Sequence, residues 1–316
     1  MIGTTKKRPV AIDAGPVASE YDPDAQAVVF KGDNLRFIAS LPAGSVDLVV
    51  TSPPYNIGKS YETRTDLGTY LAGQRAVIEA AKRVLTDKGS ICWQVGNWVD
   101  NGRIVPLDVL LYPVFEELGF VLRNRIVWTF GHGLHSRKRF SGRYETVLWF
   151  TRDTDDYFFN LDAVRVPQKY PGKRHYKGPR AGEYSGHPVG KNPSDVWEIP
   201  NVKANHVEKT EHQCQFPIAL VQRLVRSLTP AGGIVLDPYL GVGSAVCAAV
   251  IEGRHGWGSE LDAHYVKTAR ARTVEALQGT LRYRPLEKPI YVPSPGTPLT
   301  TRKASAEVDS REAGPA

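Results

Sequence analysis

The sequence predicts one large α/β domain that carries an insertion. Short apolar runs that are typical of strands covered on both faces, such as residues 46–50, alternate with segments whose apolar residues recur at helical spacing, such as residues 71–85. The 316 residues are 41% hydrophobic and 23% charged, which is enough to form one sizeable core. The strand and helix patterns stop between residues 165 and 191, so this segment is predicted to be the insertion.

The remaining elements follow in order along the chain. An irregular start rich in lysine, glycine and proline predicts a flexible arm over residues 1–24, and a tail rich in proline, threonine and serine predicts disorder over residues 285–316. Strands are predicted at residues 27–30, 46–50, 89–95, 121–130, 144–151, 233–237 and 256–261, and helices at residues 71–85, 105–118, 217–227, 244–251 and 263–277.

The strand at residues 46–50 ends in Thr-Ser-Pro-Pro-Tyr, residues 51–55. Pro53 and Pro54 lack a backbone N–H and cannot continue a sheet, which leaves the carbonyls of this loop directed elsewhere. The Ser52 hydroxyl and the Pro53 carbonyl are suitable acceptors for the exocyclic amino group of a nucleobase, and Tyr55 offers a ring for stacking. The alternative from this stretch alone is an ordinary Pro-Pro turn after a core strand.

A second loop, Leu-Asp-Pro-Tyr-Leu-Gly-Val-Gly-Ser at residues 236–244, joins a predicted strand to a predicted helix. Gly241 and Gly243 allow the backbone to approach a ligand at the helix N-terminus. Glu260 lies at the end of the next strand, about twenty residues later, where a carboxylate binds ribose hydroxyls. Val246 stands at the third glycine position of the dinucleotide fingerprint, so a nicotinamide dehydrogenase is only a distant alternative.

Basic residues concentrate in two segments that contain few or no acidic residues. Residues 165–191 hold seven basic residues and one acidic residue, a net charge of +6 out of +7 for the chain, together with three tyrosines. This composition predicts contact with a polyanion, and the alternative is a solvated disordered loop. A second basic loop, residues 131–143, is predicted to clamp phosphates. The candidate DNA-binding residues are Arg137, Lys138, Arg139, Arg143, Lys169, Lys173, Arg174, Lys177 and Arg180.

The cysteines and histidines predict neither a disulfide nor a metal site. Cys92, Cys214 and Cys247 are odd in number and far apart, so we expect buried thiols in a reducing compartment. His132 and His135 have no carboxylate or cysteine nearby, and no metal is expected. The sequence lacks an apolar run long enough for a membrane span and a signal peptide at its start, which predicts a soluble, cytoplasmic protein.

Taken together, the two loops resemble those of amino-methylating DNA methyltransferases. Residues 51–55 resemble the catalytic motif of that family, and residues 236–244 resemble its S-adenosylmethionine loop. The order of the loops is similar to that of the β group, and the likeness spans roughly residues 25–283. The resemblance implies a Rossmann-like, seven-stranded S-adenosylmethionine-dependent methyltransferase fold, circularly permuted, with a basic target-recognition insert.

The resemblance also implies a role for each motif residue. The catalytic residues would be Ser52, Pro53, Pro54 and Tyr55, and the cofactor-binding residues would be Asp33, Phe216, Pro217, Asp237, Tyr239, Gly241, Gly243, Ser244 and Glu260. Asp33 is equally natural as a helix N-cap, and the two roles are compatible. The catalytic half would span residues 25–160, the target-recognition insert residues 161–194, and the cofactor-binding half residues 195–284.

The implied activity is site-specific methylation of double-stranded DNA in a bacterial or phage setting, by a monomer or homodimer, with a restriction endonuclease as a possible partner. Family members with Asp at the position of Ser52 mostly methylate adenine, whereas those with Thr-Ser-Pro-Pro-Tyr mostly methylate cytosine N4, and Phe216-Pro217 also favours cytosine. The alternatives are adenine N6 and, more distantly, RNA or a protein glutamine. Loss of catalysis in a DNA-binding protein is disfavoured because both loops are intact.

Overall fold

A computed structural model describes residues 17–59, 62–131, 133 and 135–297. Most of the predicted arm, part of the predicted tail, and His132 therefore lie outside the described residues. The strands are β1 (Ala27–Lys31), β2 (Val46–Thr51), β3 (Leu85–Val95), β4 (Asn97–Asp100), β5 (Arg103–Pro106), β6 (Val121–Thr129), β7 (Tyr144–Thr151), β8 (Val196–Glu198), β9 (Ile234–Asp237) and β10 (His255–Glu260). The α-helices are α1 (Asn34–Ser40), α2 (Leu67–Val84), α3 (Leu107–Glu117), α4 (Ile218–Leu228), α5 (Ser244–Ile251) and α6 (Ala263–Leu277).

Eight of the described strands form one mixed sheet in the order β1-β10-β9-β2-β3-β7-β6-β8. β1, β10, β9, β2 and β3 are parallel, β7 is antiparallel to both β3 and β6, and β8 is parallel to β6. The predicted α/β fold is confirmed, with β8 as a short eighth strand beyond the seven expected. β8 is held because buried Trp197 lies in register with Trp128, whose indole N–H donates to the Ile199 carbonyl.

Helices cover both faces of the sheet. One core cluster contains buried residues of α4, α5 and α6, and the other contains those of α1, α2 and α3. Val46, Leu48, Val49 and Val50 of β2 are each at most 2% exposed, as the apolar run predicts for a strand covered on both sides. Burial on both faces therefore fixes the point at which the loop after this central strand begins.

A two-stranded hairpin of β4 and β5 was not among the predicted elements. Its turn contains Asn101 and Gly102, which have positive φ angles of 47° and 83°. Asn-Gly is the preferred pair for such a turn because both residues tolerate left-handed backbone. The hairpin occupies the start of the helix predicted from residue 105, so α3 begins at Leu107 instead.

The chain divides into two compact units after Leu286. The described part of the second unit, residues 287–297, contains turns and neither helix nor strand. Among the described helices, none combines the length and apolar character needed to span a bilayer. Cys92 and Cys247 are buried as predicted, but the prediction is wrong for Cys214, which is exposed on the segment before α4.

Candidate active site

A cavity of about 470 Å³ lies at the carboxyl ends of the parallel strands, and we call it the inner cavity. Parallel strands end at one edge of a sheet, so the loops after β1, β2, β9 and β10 meet there. Its lining includes Gly32, Asn34, Ser52, Pro54, Tyr55, Glu62, His212, Phe216, Tyr239, Gly241, Ser244, Glu260 and Tyr265. The two sequence motifs, almost 190 residues apart in the chain, thus contribute to one site.

The segment Ser52 to Tyr55 leaves the end of β2 directly into the inner cavity. Ser52, Pro54 and Tyr55 line the cavity, while Pro53 is buried behind them. The preceding residue, Thr51, donates a hydrogen bond of 2.6 Å from Oγ1 to Oδ1 of Asp237. This bond connects the proline loop with the glycine loop across the two neighbouring strands.

The chain immediately after Tyr55 is held by two side chains that the sequence did not single out. Asn56 has a φ of 59°, and its side chain bonds both the N–H and the carbonyl of Thr65. The Glu62 carboxylate accepts hydrogen bonds of 2.8 Å from the backbone N–H groups of Asn56 and Ile57. The sequence gives no usable signal for these hydrogen bonds. The positive φ of Asn56 and the position of the Glu62 carboxylate beside it become visible only in the folded structure.

The Tyr55 hydroxyl is the centre of a polar cluster. It lies 3.2 Å from Ser52 Oγ and 3.2 Å from Glu145 Oε2, and Gln94 Nε2 donates to it over 2.7 Å. Gln94 Nε2 also donates to Glu145 Oε2. Burial and the neighbouring Glu145 raise the pKa of Tyr55 well above its ordinary value, so the phenol keeps its proton.

The glycine loop adopts backbone that only glycine accepts without strain. Gly241 has a φ of 53° and Gly243 a φ of 82°. A Cβ on Gly241 would lie 3.3 Å from His212 Nε2 in the cavity wall, whereas one on Gly243 would lie 3.1 Å from Ala269 Cβ. Gly241 therefore shapes the cavity, and Gly243 allows the turn to pack against α6.

Asp237 lies behind the cavity wall and is fully buried. Its Oδ1 accepts hydrogen bonds from Thr51 Oγ1 and from the Tyr239 N–H, at 2.6 and 3.0 Å, but no described donor reaches Oδ2. Burial raises the pKa of this carboxyl to about 7. Oδ2 is enclosed by the protein, and a buried acceptor without a donor disfavours the ionised carboxylate, in agreement with the raised pKa.

Glu260 lines the inner cavity at the end of β10. Its carboxylate accepts hydrogen bonds from the N–H groups of Gly241 and Asp262, at 2.9 and 2.8 Å. Burial raises its pKa. These two backbone bonds fix the carboxylate in the cavity while leaving it further lone pairs for a ligand.

The other predicted cofactor residues lie at or beside the wall. Phe216, Tyr239 and Ser244 line the inner cavity, and Pro217 lies just outside it at the start of α4. Asp33 caps α1 by accepting a 3.0 Å hydrogen bond from the Arg36 N–H, while its neighbours Gly32 and Asn34 form the wall.

A second cavity of about 500 Å³, the outer cavity, adjoins the first. Tyr55, Cys214, Gln215 and Phe216 line both. The other residues of its wall come from β3, β6, β7, the hairpin, the loop before β7 and the segment before α4. They include Gln94, Asn97, Val99, Ile104, Trp128, Gly133, His135, Arg139, Gly142, Glu145, Asn201 and Lys203. Tyr55 therefore stands at the boundary of two spaces large enough for separate ligands.

The predicted DNA-binding residues fall into two groups. Arg139 belongs to the wall of the outer cavity, and the adjacent Arg137, Lys138 and Phe140 are exposed, with Phe140 at 99%. In the insert, Lys169, Lys173, Arg174, Lys177 and Arg180 are all exposed and line neither cavity. The insert is pinned at its base by a two-way backbone bridge between Val166 and Lys191, and Arg174 lies 4.0 Å above the Tyr184 ring.

A glycine turn, a buried carboxylate and an aromatic ring at the carboxyl ends of parallel strands are the features expected of an enzyme class that binds a nucleotide-like cofactor. The DNA methylase family model for N6 and N4 methyltransferases matches residues 46–271. The chain is 50% identical over 242 residues to the type II methyltransferase M.BglII of Bacillus subtilis, covering 76% of this chain and 67% of that protein. The chain belongs to the amino-methylating DNA methyltransferase family.

Further relatives agree with this family. The type II methyltransferase M.ScaI of Streptomyces caespitosus is 36% identical, covering 80% of this chain and 83% of that protein, and the DNA adenine methyltransferase YhdJ of Escherichia coli is 31% identical, covering 77% and 81%. The PvuII cytosine-N4-specific DNA methyltransferase shares the fold, with a TM-score of 0.63, 18% identity and coverage of 84% and 93%. A putative DNA modification methylase from Thermus thermophilus, complexed with S-adenosyl-L-methionine, matches with a TM-score of 0.58, 26% identity and coverage of 79% and 94%.

S-adenosylmethionine is the cofactor of this family, and the inner cavity fits it. The cofactor presents a cationic ammonium, a sulfonium, two ribose hydroxyls and an adenine ring. The cavity offers the carboxylate of Glu260 and aromatic side chains including Phe216 and Tyr239, while Asp237 lies behind its wall. Acidic acceptors beside a glycine turn suit such a cationic nucleoside.

Proposed function

We propose that this enzyme methylates the N4 amino group of cytosine within a specific site of double-stranded DNA. The observation that carries the proposal is the position of Ser52, whose neutral hydroxyl lies at the cavity wall beside the Tyr55 hydroxyl, 3.2 Å away. The pattern Thr-Ser-Pro-Pro-Tyr, with Ser in place of Asp, favours cytosine within the family. Phe216-Pro217 in the wall favours it as well.

In this proposal the target base leaves the duplex and enters the outer cavity. A base whose exocyclic nitrogen reacts must leave the stack, and an aromatic ring is a suitable platform for it. Tyr55 supplies that ring at the boundary of the two cavities. The reacting nitrogen then faces the inner cavity, where bound S-adenosylmethionine supplies an electrophilic methyl group on sulfonium.

The catalytic loop acts on the two N–H bonds of the amino group. One N–H donates to Ser52 Oγ and the other to the Pro53 carbonyl, which draws the nitrogen towards tetrahedral geometry and stabilises its developing positive charge. When the cofactor is bound, the new N–C bond would form as the S–C bond of the sulfonium breaks to leave a thioether, and the methylated nitrogen would then release one proton to water. Acceptors suffice because the methylated nitrogen is a strong acid before it loses that proton.

Adenine N6 is the second candidate. The 31% identity to an E. coli DNA adenine methyltransferase favours it, and both amino groups present similar N–H geometry. Mass spectrometry of nucleosides from DNA methylated in vitro tests the proposal, with a Ser52→Ala enzyme as the control for background. We expect N4-methylcytosine, whereas N6-methyladenine without N4-methylcytosine would overturn the choice of base and leave the family assignment intact.

We further propose that the two basic segments hold the DNA. Two observations support this: Arg139 lines the outer cavity, where it could contact phosphates next to the flipped base, and the cations of the insert are exposed, which suits them to the flanking duplex. The similarity to type II methyltransferases supports a role beside a restriction endonuclease of the same site, in a monomer or homodimer. Sequencing of DNA from cells that express the enzyme, with detection of modified bases, gives the recognition sequence.

A further inference from the structure

We propose that Glu145 is a positioning residue that sets the direction of the hydrogen bonds through Tyr55 to Ser52, so that the Ser52 oxygen keeps its lone pairs for the substrate. The inference deepens the proposed function and rests on it, because it assumes that Ser52 accepts an amino N–H. It concerns a residue outside the motif, 90 positions from Tyr55 in the chain.

Glu145 and Gln94 are brought to Tyr55 by the sheet. Gln94 pairs with Val147 in the antiparallel register of β3 and β7, and Glu145 lies two residues before Val147 in β7. Their side chains enter the outer cavity from the same face, where both contact the Tyr55 hydroxyl. A Cβ on Gly96 would lie 3.0 Å from the Tyr55 ring and 3.3 Å from Glu145 Cγ, so the backbone at that position leaves room for this pair.

The direction of the bonds follows from a count of protons. An ionised carboxylate only accepts, so the single hydroxyl proton of Tyr55 is donated to Glu145 Oε2 over 3.2 Å. Gln94 Nε2 donates to Tyr55 over 2.7 Å and takes one of the two lone pairs on the phenol oxygen. The remaining contact, 3.2 Å to Ser52 Oγ, must then have Ser52 as the donor. Both lone pairs of Ser52 Oγ are left for the target amino group.

Protonation of Glu145 removes this constraint. The phenol proton is then free to turn towards Ser52 Oγ, where it occupies one of the two lone pairs and competes with the amino N–H for that oxygen. The pKa of Glu145 is raised by burial, while hydrogen bonds from Gln94 and Tyr55 and the charge of Lys203 oppose the shift. The other titratable groups that line this cavity, among the described residues, are Cys214, which also borders Tyr55, Tyr144 of β7, and His135 and Arg139 of the basic loop.

Two substitutions separate the charge of Glu145 from its role as an acceptor. Glu145→Leu removes the acceptor, and we expect kcat to fall on the order of tenfold or more, with S-adenosylmethionine affinity unchanged by calorimetry. Glu145→Gln keeps an oxygen for the Tyr55 proton without titrating. We expect Glu145→Gln to retain most of the wild-type kcat. Its kcat should also lack the fall at low pH that protonation of Glu145 causes in the wild type. Melting temperatures of both variants report on folding.

A double-mutant cycle with Tyr55→Phe decides whether Glu145 acts through the phenol. The phenylalanine variant lacks the hydroxyl, so adding Glu145→Leu should slow it no further. Two outcomes would overturn the inference. One is that Glu145→Leu slows the wild type and Tyr55→Phe equally, and the other is that the rate of Glu145→Gln still falls at low pH as in the wild type. The Ser52→Ala variant distinguishes failure of this inference from failure of the proposed function. Normal methylation by that variant would contradict the proposed role of Ser52 as the acceptor.

Discussion

Thr51 and Asp237 are 186 residues apart in the sequence, and a hydrogen bond of 2.6 Å joins their side chains. Thr51 ends the strand that leads into the proline loop, and Asp237 ends the neighbouring parallel strand that leads into the glycine loop. The bond therefore fixes the predicted acceptor loop relative to the predicted cofactor loop. Only Oδ1 of Asp237 takes part in these bonds, and Oδ2 is enclosed without a described partner.

We expect Asp237→Asn to change how stability depends on pH. Burial raises the pKa of Asp237 from 3.8 to about 7. Between those values the folded protein holds a proton that the unfolded chain has released, so the free energy of unfolding falls as pH rises and levels off above about pH 7. The Asn variant should lack this slope. At pH 8 and without cofactor, its free energy of unfolding should exceed that of the wild type by at most about 4 kcal/mol.

Denaturant unfolding between about pH 4 and pH 8 measures this effect. Thr51→Val is the control, since it keeps the titrating carboxyl but removes one of its donors and should destabilise the protein by about 1 to 3 kcal/mol. An unchanged slope in Asp237→Asn contradicts the raised pKa. Because the family resemblance assigns Asp237 to the cofactor site, the same variant should also bind S-adenosylmethionine more weakly.

We expect Glu260→Gln to weaken cofactor binding. Loss of a charge-assisted hydrogen bond costs about 1.5 to 3 kcal/mol, which corresponds to roughly 10- to 150-fold in Kd. Isothermal titration calorimetry without DNA measures the change. Glu79→Gln, at an exposed position of α2, is the matched control and should bind as the wild type does. Equal affinities of the two folded variants would remove Glu260 from the cofactor site.

We expect Ser52→Ala and Tyr55→Ala to lose turnover far more than cofactor affinity. Removing one preorganised hydrogen-bond partner of a developing charge lowers kcat by about 100- to 1,000-fold in other enzymes, and Tyr55 also provides the stacking platform. Single-turnover methyl transfer and calorimetry on the same preparations separate the two quantities. A parallel fall in rate and in affinity would place these side chains in the cofactor site instead.

We expect the insert to contribute to the salt dependence of DNA binding. Neutralising Lys173, Arg174 and Lys177 should reduce the slope of log K against log salt by about 0.9 for each lost phosphate contact, while cofactor affinity is retained. The control is Lys88→Ala, a cation that is paired with Asp156 outside both basic segments. If the slope stays as in the wild type, the phosphate contacts belong to the loop from Arg137 to Arg143.

Features encoded in short contiguous stretches were predictable from the sequence. The proline loop and the glycine loop can be recognised in the sequence because proline restricts the local backbone conformation and glycine widens it, independently of the rest of the fold. The Asn101-Gly102 hairpin carried a signal of the same local kind, yet it was missed because the apolar residues after it also fit a helical period. The buried character of β2 followed from composition alone, since a strand covered on both faces needs apolar residues throughout.

The roles of Gln94 and Glu145 depend on the pairing of β3 with β7, and no local pattern specifies that register. A Glu at the start of a strand resembles any exposed charge until the sheet places it against the Tyr55 hydroxyl. The exposure of Cys214, the division of labour between Gly241 and Gly243, and the partnerless oxygen of Asp237 are decided in the same way. The sequence by itself determined the α/β class and which loops bear the chemistry, because those depend on local backbone limits and periodic burial. Only the tertiary structure decided which distant side chains complete the site, because hydrogen bonds and burial depend on distances between elements that sequence spacing does not set.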